Sequence, residues 1–192
     1  MTLSWGVYVM GYTVDDLAYI LGRLIEHGAD FVVVGDTVVQ LALKKKEFEG
    51  DVDIFALEPS PLVEEEFYRS IAEEEGWDMG TTEIGTPKFV AKVGDKDIVI
   101  EVYESFMDVE IPLEILNEAR SIKLGGYKIK VLRPEQYFVL KARQGVDLDK
   151  LAKYYKELKK LDKKILAKTL EYFPDDEKEI IKERLRDIGV EL

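Results

Sequence analysis

Apolar residues recur along the chain at two spacings, and these predict helices interleaved with strands. After Thr13, apolar residues follow one another at the spacing of a single helix face, and Gly28 ends this helix. The four consecutive apolar residues at 31–34 are typical of a strand that is buried on both faces. A second helix is predicted from 37 to about 45, with Asp36 as its N-cap.

The middle of the chain predicts a strand, a helix and two hairpins. The strand contains Asp51 and ends before Pro59 and Pro61. Each hairpin has glycine at its turn, where this residue adopts the required backbone conformations without strain. The helix covers 62–75, and the hairpins pair 88–93 with 97–104 and 121–124 with 127–131.

The last third of the chain is predicted to be helical. A helix begins at Pro134 and runs to about 144, apolar positions within 148–158 form one helical stripe, and a last helix spans about 175–188. We therefore expect an α/β (α+β) fold with a mixed-sheet core over residues 1–132, whose first eleven residues form a strand or a docked arm. Residues 133–192 form a helical C-terminal region that covers this core.

Three acidic residues in strand context are the candidate functional residues. Asp51 and Asp53 are two positions apart, so in a strand their side chains project from the same face. Glu101 lies among apolar residues of another predicted strand, and Glu104 or Asp97 is the alternative third acid. Like charges that lie close together repel, and hard divalent cations such as Mg²⁺ bind carboxylate oxygens. The pattern predicts a metal site.

The charge distribution limits the classes of partner. The formal net charge of −12 argues against broad, unassisted nucleic-acid binding. Residues 141–169 nevertheless carry ten Lys/Arg against four acids. This basic segment either receives a nucleic-acid or nucleotide acceptor or is the solvated face of two amphipathic helices.

Composition excludes several kinds of site. The chain has no cysteine, which excludes disulfides and thiolate metal sites, and the single histidine, His27, excludes a histidine cluster. Charged residues make up 34% of the chain, lysine greatly outnumbers arginine, and Asn117 is the only asparagine, a composition that resembles that of hyperthermophile proteins. No apolar run is long enough to span a bilayer and no signal-like segment begins the chain, so we expect a cytoplasmic protein.

The order of these elements resembles the polymerase-β-like nucleotidyltransferase superfamily. Gly35 matches the first glycine of its Gly-Gly or Gly-Ser turn, Asp51 and Asp53 match its acidic pair, and Glu101 matches its third acid. The stretch 131–141 is similar to a strand-Pro-Glu-helix-Lys element of small prokaryotic members, which include minimal, resistance-type and toxin–antitoxin enzymes.

This resemblance, which covers about residues 14–158, implies transfer of a nucleoside monophosphate from an NTP, expected to be ATP, with release of pyrophosphate. It implies a two-metal, in-line displacement in which Asp51 and Asp53 hold both Mg²⁺ (or Mn²⁺) ions. Glu101 would hold the ion near the acceptor and take the acceptor's proton. The sequence leaves the acceptor open between a protein, a tRNA, a small molecule and another nucleotide, and the small size of such domains favours a homodimer.

The same resemblance implies a phosphate site at the turn formed by Gly35, Asp36 and Thr37, with Lys141 neutralising phosphate charge. Asp36 departs from the family pattern, which has Gly or Ser at this position. A carboxylate here repels triphosphate unless a metal or a lysine intervenes, or unless its side chain caps the helix. Asp36 therefore favours an alternative: a non-catalytic nucleotide-binding or toxin–antitoxin-type regulatory protein. A third possibility is an interaction protein whose acidic cluster only binds a cation.

Overall fold

The computed structural model describes residues 11–105 and 110–192, which form nine strands and eight helices. The predicted strand or arm at the start of the chain falls almost entirely on residues 1–10, outside the described residues. In chain order the elements are β1 (Tyr12–Thr13), α1 (Val14–Glu26), β2 (Asp30–Val33), α2 (Thr37–Ala42), β3 (Glu47–Phe48), β4 (Val52–Glu58), α3 (Glu65–Glu75), β5 (Asp78–Thr81), β6 (Pro87–Val93), β7 (Lys96–Tyr103), α4 (Leu113–Asn117), β8 (Arg120–Leu124), β9 (Tyr127–Val131), α5 (Pro134–Gln144), α6 (Leu148–Leu158), α7 (Lys163–Leu170) and α8 (Asp175–Asp187).

Seven strands form one mixed sheet in the order β5-β6-β7-β4-β2-β9-β8, and β1 and β3 form a separate antiparallel pair. In the sheet, β4 runs parallel to β7, and β2 runs parallel to β9 but antiparallel to β4. Val32, Val33, Ile54 and Ile100 on these central strands are almost completely buried. The predicted mixed α/β fold is confirmed, and β2 is, as expected, a buried central strand.

The ends of the first helix follow the local sequence. Thr13 caps α1 through a reciprocal capping box with Asp16. The side chain of His27, at the other end, contacts Glu75 at 2.6 Å and so joins α1 to α3. The predicted second helix is shorter than expected and ends at Ala42. Asp36 occupies the N-cap position, as predicted, but its side chain makes no cap hydrogen bond.

After β9, all described elements are helices. α5 begins and ends where the sequence predicted, with Pro134 in its first turn and Gly145 in the left-handed conformation after it. Most of α5 is buried, including Tyr137, Phe138 and Val139, and the helix packs against α2, α6, α7 and α8. None of the helices in the described ranges combines the length and the apolar character that crossing a membrane requires.

Candidate functional site

Three charged side chains form a row across neighbouring strands of the sheet. Asp53 on β4 is the register partner of Glu101 on β7, and Glu101 is the register partner of Lys88 on β6. Residues that lie directly opposite each other in a sheet project from the same face. Lys88 Nζ lies 2.8 Å from Glu101 Oε1, and the Tyr103 hydroxyl donates to Glu101 Oε2. We call Lys88, Glu101 and Asp53 the charged row.

Gly35 lies directly against the acidic end of this row. The backbone N–H of Val34 donates to the carbonyl of Asp53 at 3.0 Å, which brings the turn after β2 beside β4. A β-carbon added at Gly35 would lie 2.1 Å from Asp53 Oδ2, which is too close for any real contact. A glycine is therefore required here by the close approach of the Asp53 carboxylate.

The candidate carboxylates share one electrostatic field. The pKa of the Asp53 carboxyl is raised to about 7, first by burial and then by three neighbouring carboxylates, which are Glu101, Asp36 and Asp51. Lys141 opposes this rise. Burial also raises the pKa of Asp51, and the charge of Glu101 adds to the effect. Around Asp53, the negative charge of the carboxylates therefore exceeds the positive charge of the neighbouring lysine.

Asp36 turns away from its own helix and toward α6. The Asp36 side chain is 11% exposed, and its Oδ2 lies 2.5 Å from Lys150 Nζ. The Tyr154 hydroxyl donates to the same oxygen at 2.9 Å. Lys150 and Lys45 also lie 5.8 Å and 5.6 Å from the centre of the Tyr154 ring. A lysine thus neutralises the carboxylate that departs from the family pattern.

An open cleft of about 1140 Å³ lies between the sheet and the C-terminal helices. Four of the predicted site residues line it: Gly35, Asp53, Glu101 and Lys141. The other three, Asp51, Asp36 and Thr37, are not part of its lining, and Thr37 is completely buried. The cleft also contains cationic and aromatic residues that were not singled out from the sequence, namely Lys88, Tyr103, Tyr137 and Arg143.

The donor set fits a hard divalent cation, because it consists of carboxylate oxygens. Within residues 11–105 and 110–192, however, no group of three or more carboxylate, imidazole or thiolate side chains is gathered closely enough to hold a metal ion. Each oxygen of Glu101 already has a donor, from Lys88 or Tyr103. Asp51 lies directly before β4, which begins at Val52, and not within the predicted strand. A metal site formed by Asp51, Asp53 and Glu101 therefore stays a prediction.

The alternative third acids lie elsewhere. Glu104 accepts hydrogen bonds from the Ser60 hydroxyl and the backbone N–H of Leu62, both at 2.8 Å, and so fastens the loop before α3. Asp97 pairs in register with Lys92, four residues away from Glu101 toward the start of β7. Glu101 is the acid of this strand that lies beside Asp53.

Some of the residues that were missed had a usable sequence signal. The β6–β7 hairpin turns at Gly94-Asp95, so counting pairs outward from Val93 and Lys96 places Lys88 opposite Glu101. Tyr103 lies two residues after Glu101 and therefore on the same face. Lys150 and Tyr154 had no such signal, because they approach Asp36 from more than 110 residues away in the chain.

Comparison with known proteins gave one family and several structures. The model of a family described as "Nucleotidyl transferase of unknown function (DUF2204)" matches residues 13–187. No curated protein sequence matches the chain. An antigenic nucleotidyltransferase-like protein from Paracoccidioides brasiliensis has a similar structure, with a TM-score of 0.61 and 12% identity, over 93% of this chain and 89% of that chain. ANT(2'')-Ia in complex with adenylyl-2''-tobramycin has a TM-score of 0.51 and 16% identity, over 91% of this chain and 97% of that chain. At such identities these structures show a shared fold.

Proposed function

Because the chain belongs to this family of nucleotidyl transferases, as its resemblance predicted, we propose that it transfers a nucleoside monophosphate from an NTP, expected to be ATP, to an acceptor. The bond between the α-phosphorus and the bridging oxygen breaks, a bond from the acceptor oxygen to the α-phosphorus forms, and pyrophosphate leaves. The observation that carries this proposal is the pair of Asp53 and Glu101, side by side in the cleft and next to Gly35.

The proposed roles follow from where the residues lie. Asp51, Asp53 and Glu101 would hold Mg²⁺ or Mn²⁺, which when bound neutralises charge that develops on the transferred phosphoryl group. Glu101 would also accept the acceptor's proton once its oxygens are released. Lys141 reaches the same cleft, where its Nζ lies 3.6 Å from Asp147 Oδ2, and would move to the phosphates.

The turn of Gly35, Asp36 and Thr37 remains the proposed place for the phosphate chain. Gly35 has no side chain, so a phosphate can approach the backbone beside Asp53. Thr37 is buried and would contribute through the turn's shape and not through its hydroxyl. The Asp36 carboxylate does not line the cleft, and its contacts with Lys150 and Tyr154 would reduce its repulsion of a nucleotide.

The volume and the lining residues of the cleft favour a small molecule as the acceptor. The cleft, with a volume of about 1140 Å³, suits a nucleotide together with a compact second substrate. Acidic side chains line it beyond the charged row, including Glu83, Glu110 and Asp147, and these would repel the backbone of a tRNA. The protein in the ANT(2'')-Ia complex carries an adenylylated small molecule, which agrees with this choice for the fold.

A transfer assay tests the proposal. The protein is incubated with Mg²⁺ or Mn²⁺ and each of four α-³²P-labelled NTPs, together with a cellular small-molecule fraction, bulk tRNA or protein. We expect label in a new small-molecule product, equimolar release of pyrophosphate, and loss of both in Asp53→Asn. Metal-dependent nucleotide binding without any transfer, in all three acceptor classes, would favour the non-catalytic alternative that Asp36 raised. Absence of binding as well would reject both functions.

A further inference from the structure

Lys88 has no role in the proposed reaction, although it contacts the acid beside Asp53. Its Nζ lies 2.8 Å from Glu101 Oε1, between side chains that are 35% and 17% exposed. The Tyr103 hydroxyl binds the opposite oxygen. In the protein without a metal, Glu101 is thus already bound on both sides.

The backbone fixes this contact. Lys88 and Glu101 are register partners in the β6–β7 hairpin, whose pairing continues without a shift from Val93 and Lys96 at the turn. Cross-strand partners hold their β-carbons about 5 Å apart, so the lysine reaches the carboxylate without leaving its strand. The pair is therefore a property of the sheet and not of a mobile surface loop.

The charge of Lys88 acts on the whole carboxylate cluster. Its pKa is raised, mainly by the hydrogen bond to Glu101, and the charges of Asp51 and Asp53 also contribute. An ammonium group and a divalent cation are attracted by the same carboxylate oxygens. The two cations compete for Glu101, because a divalent cation that coordinates this carboxylate lies close to the positive charge of Lys88 and repels it.

We propose that Lys88 is the internal counter-ion of the carboxylate cluster. In the absence of a metal, Lys88 holds Glu101 in the charged row, and it competes with the divalent cation for the Glu101 carboxylate. The inference rests on the proposed function in taking these acids as metal ligands. It makes Lys88 a positioning residue whose presence lowers metal affinity. With a cation on Glu101, the Lys88 ammonium group would lose this partner and stay in the cleft that it lines.

Metal binding without nucleotide tests this role. The affinity for Mn²⁺ is measured by electron paramagnetic resonance for the wild type, Lys88→Met, Lys88→Arg and Asp53→Asn. Lys92→Met is the matched control, since Lys92 lies on the same strand and pairs with Asp78 at 3.2 Å, away from the cluster. At low salt we expect about fivefold tighter binding by Lys88→Met, because one competing charge is removed. Lys88→Arg and Lys92→Met should match the wild type.

The outcomes separate the two proposals. Asp53-dependent Mn²⁺ binding that is unchanged or weakened in Lys88→Met would overturn the counter-ion role and leave the proposed function intact. Mn²⁺ binding that is absent, or that is the same in Asp53→Asn as in the wild type, would overturn both. If circular dichroism shows that Lys88→Met does not fold, Lys88→Gln carries the same comparison.

Discussion

At the scale of single residues, the close approach of Asp53 to Gly35 leaves no room for a side chain at position 35. We expect Gly35→Ala to displace the Asp53 carboxylate, since the new β-carbon would lie 2.1 Å from Oδ2. Such overpacking costs about 1–3 kcal/mol of stability. Urea unfolding and Mn²⁺ titration measure the two effects.

Gly80→Ala is the matched control for this substitution. Gly80 lies on β5, and no atom lies within 4 Å of a β-carbon built there. Its substitution should leave both stability and metal binding close to wild type. If Gly35→Ala behaves like Gly80→Ala, the close packing of Asp53 on the turn is not important.

The raised pKa of Asp53 predicts a pH dependence of stability. Its pKa is about 7 in the folded protein against 3.8 ordinarily, so the folded state holds a proton that the unfolded chain has released between these values. This stabilising contribution is complete below about pH 4 and is lost as the pH rises through 7. In EDTA, Asp53→Asn should match the wild type at pH 4 and exceed its stability by up to roughly 4 kcal/mol at pH 8.

Urea unfolding of both proteins at pH 4, 6 and 8 gives this difference directly. A difference that does not change with pH would show that Asp53 titrates normally. A saturating divalent cation should shrink the difference at pH 8, because the metal stabilises the charged carboxylate.

Asp36 shows where residue-level reasoning reaches its limit. Its type and position before α2 predict an N-cap, and the resemblance to the family predicts a conflict with phosphate. Both arguments use neighbours in the sequence. The actual partners, Lys150 and Tyr154, come from a helix more than 110 residues later, and nothing in the local pattern identifies them.

At the scale of elements, the side chain of Asp36 binds Lys150 and Tyr154 and so connects α6 to the turn between β2 and α2. We expect Tyr154→Phe to cost about 1 kcal/mol, because the hydroxyl that donates to Asp36 is lost. Hydrogen exchange of the α6 amides should become faster, and Lys150→Met should have the same effect.

Tyr155→Phe is the control on the same helix, where the Tyr155 ring packs against Phe138 with 6.3 Å between ring centres. It should leave exchange in α6 almost unchanged. Equal acceleration by both tyrosine substitutions would mean that the loss of either hydroxyl has this effect, and it would contradict a specific role for the bond from Tyr154 to Asp36.

The elements that the sequence predicted correctly have strong local signals. Two-residue turns with glycine define both hairpins, and Pro134 with Gly145 marks the ends of α5. The elements that were missed, β1, β3, β5 and α4, have two to five residues each. The short strands among them exist because they pair with strands distant in the chain or across a loop, which periodicity does not reveal.

At the scale of the whole molecule, the core and the helical region depend on each other. α5 buries Tyr137, Phe138 and Val139 and packs against α2, which belongs to the first part of the chain. We expect a fragment of residues 1–132 to lack a cooperative thermal transition, because it leaves this apolar surface exposed. The division at residue 132 stays a prediction, and a fragment that melts cooperatively near the temperature of the full chain would support two independent domains.

The basic segment 141–169 has acidic partners elsewhere in the chain. Lys150 contacts Asp36, Lys168 contacts Glu118 at 2.7 Å, and Lys163 contacts Glu191 at 3.2 Å. These pairs support the solvated-face interpretation of the segment over a nucleic-acid surface. The expected homodimer stays a prediction.

The central claim is that the carboxylates around Asp53 form a metal-dependent nucleotide site. Calorimetric titration of ATP and GTP into the full chain, with Mg²⁺ and again with EDTA, tests it most directly, beside Asp53→Asn. The account predicts binding that requires both the metal and Asp53. Equal binding in EDTA, equal binding by Asp53→Asn, or no binding of either nucleotide would contradict it.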